Sequence, residues 1–229
     1  MEIRKSEERG YFDHGWLRTF HTFSFADYYD PRFMGYRSLR VLNEDRVAPG
    51  MGFGRHAHRD MEIVTWVLDG TLRHGDSMGN GSIIRPGEVQ RMSAGTGVTH
   101  SEENGSASEE VHFIQIWILP ERTGLSAGYE QKATGIGSRP NELIEIAGES
   151  SDRSVRIHQN ARILAARLDG GEVSHAFDAG RGGWMHVARG SVEIGGTTLG
   201  EGDGAWFEPG ELLDAKSDGE AEILVFDLA

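Results

Sequence analysis

The chain has no cysteine among its 229 residues. That excludes disulfides, thiolate nucleophiles, iron–sulfur clusters and thiolate zinc sites. Long apolar runs are missing too. No window reaches membrane-spanning length, and the opening MEIRKSEERGYFDHGWLRTF mixes charges with aromatics in a way unlike a secretory signal. The expectation is a cytoplasmic protein with no membrane partner. Basic residues are in deficit: 23 Lys and Arg stand against 36 Asp and Glu, for a net charge of −13. Such a field repels phosphate backbones, so direct contact with nucleic acid is not expected. Helical periodicity is scarce as well.

What is abundant is glycine, with 32 residues, about twice the usual share of roughly 7% and without a collagen-like triplet period. Many tight turns between short strands would use it. Hydrophobic residues at 38% and charged residues at 26% describe an ordinary globular chain. Short apolar or alternating runs separated by Gly, Pro, Asp and Asn clusters predict strands over Ser38–Asn43, Glu62–Leu68, Gly81–Arg85, Glu88–Ser93, His112–Leu119, Arg162–Leu168, Trp184–Arg189, Ser191–Ile194, Gly204–Phe207 and Ile223–Leu228. The fold class is all-β, a barrel or sandwich.

The halves resemble each other. Gly70-Thr-Leu-Arg followed by Ile84-Arg-Pro-Gly-Glu88 has a counterpart in Gly190-Ser-Val-Glu followed by Leu199-Gly-Glu-Gly-Asp203, and each half closes on an apolar strand. Two tandem barrels follow, divided as residues 1–135 and 136–229, with a polar, glycine-rich linker near 120–150.

Two short patterns carry chemistry. In Arg55-His56-Ala-His58 the imidazoles alternate along an extended strand and project from one face. Some forty residues later, His100-Ser-Glu102 repeats that spacing with an imidazole and a carboxylate. Brought together across neighbouring strands, His56, His58, His100 and Glu102 would offer three neutral nitrogens and one anionic oxygen. That set suits one divalent transition metal, Fe, Mn, Ni, Cu or Zn, with a coordination position left open. An isolated His-x-His is commonly a packed or exposed pair, but four polar groups on inward faces need mutual satisfaction. Glu62 shares the parity of His56 and His58, so alternation leaves it open as a ligand, while Glu103 has the opposite parity to Glu102.

Gly50-(x)5-His56-x-His58-(x)3-Glu62-(x)7-Gly70 resembles the first motif of the cupin superfamily, and Arg85-Pro86-Gly87-Glu88 with Gly97-x-x-His100 resembles the second. More narrowly, HAHRDMEIVTWVLDG and MSAGTGVTHSEEN are similar to the pirin family of two-barrel cupins. HTFSFADYYDPRFMGYRSLRVLNED resembles its shorter bacterial branch, labelled quercetin 2,3-dioxygenase. Many cupins take their carboxylate ligand from the first motif, which would be Glu62. The pirin pattern takes it from the second, so the resemblance implies Glu102. It also implies two cupin-type barrels with the metal in the N-terminal one only, and a dioxygenase that cleaves a flavonol such as quercetin with O2, releasing carbon monoxide and a depside. Glu102 would be the base that takes the substrate's hydroxyl proton. The absence of cysteine suits an oxygen-handling site. The alternative is a metal-binding regulatory protein that acts through protein partners.

Other residues are assigned more plainly. The C-terminal half has only His158, His175 and His186, with no His-x-His and no histidine around Leu212–Asp214, so that barrel reads as structural and its histidines as packing or hydrogen-bonding groups. Phe53, Trp66, Met92, Gln115 and Trp117 could line a cleft for an aromatic substrate or form plain core. His21 and Tyr28 could cap the pocket or simply pack across the barrel mouth. The acidic tract from Glu102 to Glu110 reads as a solvated loop. Oligomeric state is open, and a monomer is compatible with everything above.

Overall fold

The computed structural model describes residues 1–149 and 151–229. Strands β1 (Glu2–Arg4), β2 (Gly10–Asp13), β3 (Leu17–His21), β4 (Leu39–Val47), β5 (Gly52–His58), β6 (Glu62–Asp69), β7 (Leu72–Asp76), β8 (Gly81–Ile84), β9 (Glu88–Ser93), β10 (Val98–Asn104), β11 (Val111–Ile118) and β12 (Gly128–Ala133) occupy the first part of the chain. They are followed by β13 (Ile144–Gly148), β14 (Val155–Arg156), β15 (Ala161–Ala176), β16 (Gly182–Arg189), β17 (Ser191–Ile194), β18 (Thr197–Gly200), β19 (Gly204–Phe207) and β20 (Leu212–Leu228). Three sheets result. One has the order β12-β9-β6-β11-β4-β3-β2, a second β5-β10-β7-β8, and the third is a nine-stranded sheet built around β19-β16-β20-β15. Among the described residues no helix is long and apolar enough to cross a membrane.

The internal repeat is visible in the turns. Gly70 and Gly190 both adopt left-handed φ, 73° and 68°, and at each a Cβ would fall within 2.7 Å or less of a backbone carbonyl on the facing segment, Glu110 or Glu220. Only glycine fits such a position. In the same way β15 pairs with β20 along almost its whole length, whereas in the first half that ladder is cut into β4 with β11 and β5 with β10. The cut at residues 48–51 and 105–110 lets β5 and β10 peel away into a separate sheet. That sheet is the one that carries the histidines.

Alternation sorts the two faces of the seven-stranded sheet. Val67, Val111 and Phe113 point inward with Leu17, Leu72 and Ile84. Trp66, Ile114 and Ile116 point the other way and share one core with Ile163, Trp184 and Phe226 of the nine-stranded sheet. The halves therefore bury a continuous apolar seam, each fully buried side chain contributing about 1.5–3 kcal/mol. Trp66 Nε1 donates to Glu222 Oε1 across it at 2.6 Å.

Several expectations are corrected here. The stretch near 120–150 is not a bare linker, because β12 adds to β9 and β13 adds to β15. Polar alternation such as Tyr-Glu-Gln-Lys hid an edge strand. We retain 135/136 as the proposed division, since it falls between those two additions. Strand β1 is an exception to it, pairing with β19. Strands β1, β2, β3, β5, β7, β10, β12, β13, β14 and β18 lie outside the expected list; β5 and β10 are legible only through their His-x-His and His-x-Glu pairs, and the others are short or polar.

His186 on β16 is buried, with neither ring nitrogen hydrogen-bonded among the described residues. Burial, with Arg9 nearby, pushes it down to about 3. The unfolded chain takes up a proton near pH 6.5 while the folded chain does not, so stability falls as pH drops from about 6.5 towards 3. We expect His186→Leu to raise stability by about 1 kcal/mol at neutral pH and to flatten that limb in denaturation curves taken across the range.

Candidate metal centre

Strand β10 runs between β5 and β7, and its register sets the site. His100 faces His56 on one side and Asp76 on the other, and Glu102 faces Phe53 and His74. Gly52 allows the close approach: a Cβ there would lie 2.4 Å from the Glu102 carbonyl oxygen. The rings of His56, His58 and His100 form a triangle with centroid separations of 4.4 to 4.9 Å. His56 Nδ1 lies 2.8 Å from the Gly54 carbonyl. A carbonyl only accepts, so Nδ1 carries the proton and Nε2 presents a lone pair. That Nε2 sits 3.0 Å from His100 Nε2.

Glu102 is oriented separately. Thr65 Oγ1 donates to Gln115 Oε1, which turns the amide so that Gln115 Nε2 donates to Glu102 Oε2, both at 2.8 Å. Glu102 Oε1 is buried and has no partner among the described residues. The four expected ligands do not all converge in one cluster. His56, His58 and His100 offer atoms within 4.8 Å of one another, while Glu102 groups with His100 and His74. Strand β10 shifts register between His100 and Glu102, where two steps along β10 oppose three along β5.

Burial keeps His58 and His100 neutral. His58 is pushed down to about 4, by burial and then by His56. His100 falls to about 3 through burial and the neighbouring His56, His58 and His74. Burial pushes the Glu102 carboxyl up. Asp45, fully enclosed nearby, is raised to about 7 by burial, with Glu102 adding to the rise. Neutral nitrogens beside an unsatisfied buried carboxylate oxygen are what a divalent cation requires, so the donor set fits one.

The remaining expectations divide. Glu62 lies on β6, in the other sheet, because the chain turns at Asp60 (φ 49°) after β5. Its oxygens are taken by Ser93 Oγ at 2.9 Å and His158 Nδ1 at 3.3 Å. The acidic tract is not all loop: Glu102 and Asn104 are buried residues of β10. Trp66 does not line a cleft, since it faces the seam. Phe53 packs edge-on against Trp16, and Met92 packs with Ile63 and Val98. Gln115 and Trp117 do face the site, Trp117 with its ring 4.9 Å from His58. Phe25 bridges Trp117 and His21, so His21 stands behind the aromatic wall. Tyr28 instead accepts a hydrogen bond from Arg4 at 2.8 Å. His175 bonds Asp227 at 3.0 Å, a hydrogen-bonding role. Sequence reading missed Thr65, His74 and Asp76, although Leu72-Arg-His74-Gly-Asp76 has the same alternating spacing as the other two pairs. A third cluster, Glu44, His112 and Glu201, is already met by Arg9 and Arg46, whose charges oppose a cation.

The profile of the Pirin family matches residues 2–118. The chain belongs to the pirin family. Residues 146–228 of this pirin match the quercetinase C-terminal cupin domain, so the two barrels are cupin domains. A protein of Escherichia coli K12 named quercetin 2,3-dioxygenase is 43% identical, covering 99% of this chain and 97% of its own. A pirin-like protein of Caulobacter vibrioides is 38% identical over the full length of both. Among solved structures, bacterial pirin YhhW from Escherichia coli in complex with nickel(II) matches with a TM-score of 0.92 at 41% identity, covering 99% of this chain and 98% of that one.

Proposed function

We propose that this pirin is a metal-dependent dioxygenase acting on a flavonol of the quercetin type, with His56, His58, His100 and Glu102 as the ligands of one divalent metal. The observation that carries the reading is the approach of His56 Nε2 and His100 Nε2 to 3.0 Å, beside a buried Glu102 oxygen that has no partner among the described residues. The relatives named quercetin 2,3-dioxygenase and the nickel complex of YhhW support it.

The bound metal would supply Lewis acidity and a route for electrons from substrate to O2. The protein's own groups do the rest. Trp117, backed by Phe25, offers an edge against which a flat aromatic ring packs next to His58. Glu102, the one carboxylate of the set, takes the proton from the substrate's 3-hydroxyl. The amide of Gln115, fixed by Thr65, holds the carboxylate in place while it does so. Cleavage incorporates O2, with carbon monoxide and a depside as products, so no external reductant is consumed. Protein loaded anaerobically with each of Fe, Mn, Ni, Cu and Zn and then given quercetin in air should take up oxygen and release headspace carbon monoxide in equal amounts with at least one metal. Absence of carbon monoxide with all five removes the dioxygenase reading.

The fourth ligand has its own test. Glu102→Gln is expected to weaken metal binding at least tenfold, and Glu62→Gln to leave it near the wild-type value in chelator competition. The reverse order would move the ligand to the first motif.

A further inference from the structure

Resting on the metal-site reading above, we propose that His74 is a positioning residue for Glu102: clamped by Asp76 and Tyr129, it fixes where the carboxylate presents its free oxygen to the metal. His74 lies on β7 directly opposite Glu102, and Asp76 opposite His100. Asp76 is immobilised by its own turn. Its Oδ1 accepts the backbone N–H groups of Met78 and Asn80 at 2.9 and 3.0 Å, and its Oδ2 accepts Asn80 Nδ2 at 2.9 Å. These bonds hold it as a carboxylate, and Oδ2 accepts the His74 Nε2–H at 3.2 Å.

The ring cannot turn away. It stacks on Tyr129 at 4.9 Å with planes 27° apart, and the Tyr129 hydroxyl is anchored to Ser82 and donates to Gln131 Oε1. The other ring nitrogen, Nδ1, is buried without a partner among the described residues, as is Glu102 Oε1. His74, His100 and Glu102 each offer an atom within 4.8 Å of the other two. Gln115 holds one carboxylate oxygen, and His74, directly opposite on β7, stands beside the carboxylate. A buried carboxylate with one oxygen pinned and the other confined has few orientations left, which is how outer groups tune a ligand. His74 itself stands outside the triangle of His56, His58 and His100.

The test is a double-mutant cycle on the full chain, read by metal binding with no substrate present. Wild type, His74→Phe, His74→Gln, Glu102→Gln and the His74→Phe/Glu102→Gln double variant are titrated with Co(II) against a competing chelator, and their visible Co(II) absorption is recorded. His74→Phe should lose about 10- to 100-fold in affinity and shift the absorption in the same direction as Glu102→Gln. His74→Gln should recover part of both, and the double variant should bind no more weakly than Glu102→Gln alone. Nitrogen couplings in the Cu(II) electron paramagnetic resonance spectrum should be unchanged in His74→Gln. Wild-type affinity and spectrum in both His74 variants, additive losses in the double variant, or loss of a nitrogen donor would each overturn the inference. If Glu102→Gln itself leaves binding and spectrum unaltered, the ligand reading fails together with it. If Glu102→Gln changes them and neither His74 variant does, the His74 role alone fails.

Discussion

His56→Ala combined with His58→Ala is expected to yield folded protein that retains no stoichiometric metal by elemental analysis and has no oxygen uptake with quercetin. The two imidazoles supply two of the three nitrogens in the triangle, and both sit on β5, the outer strand of the four-stranded sheet. They are only partly buried and outside the apolar seam. Their removal should therefore cost little stability, within about 1 kcal/mol for surface-proximal changes. Affinity should collapse, because one imidazole and one carboxylate form no chelate comparable to four donors. Full metal retention in the double variant would mean that the ligand set is wrong.

The largest expected effect on stability lies in the other barrel. Asp227 on β20 is wholly buried and accepts hydrogen bonds from Arg162, Arg181 and His175. Burial works against its charge, but His175, Arg181 and Arg162 outweigh that and hold the carboxyl well below the usual range. Removing it leaves two guanidinium groups facing a vacancy. Asp227→Ala should cost roughly 3 kcal/mol in urea denaturation, the low end for a buried pair because Arg162 still reaches solvent. A group whose folded value is depressed stabilises the fold above its unfolded value, near 3.8, and that contribution is lost as pH falls below it. The wild-type acid limb below about pH 4 should therefore be shallower in Asp227→Ala. Metal binding in the N-terminal barrel should be untouched by the change.

Much of this architecture could be read in the residues. The His-x-His and His-x-Glu pairs sit on adjacent strands, as expected of them, and the Gly70 and Gly190 turns give the repeat a physical basis in left-handed φ. What escaped reading was non-local. Glu62 had the right parity, yet the turn at Asp60 carried it into another sheet, and parity has no meaning across a turn. Trp66 was legible as a buried aromatic, but which face it occupied depended on the second barrel packing against the first. β12 was hidden because an edge strand with polar residues on both faces has no apolar alternation to detect. The His74-x-Asp76 pair was open to reading by the rule that found its neighbours. Its meaning depended on β7 pairing with β10.

The most direct measurement is anomalous diffraction at the absorption edge of the metal bound to crystals of the loaded protein. One peak within bonding distance of the ring nitrogens of His56, His58 and His100 and of a Glu102 oxygen is the predicted result. A peak elsewhere, at Glu62 or in the C-terminal barrel, or a peak lacking Glu102 in its coordination, would contradict it.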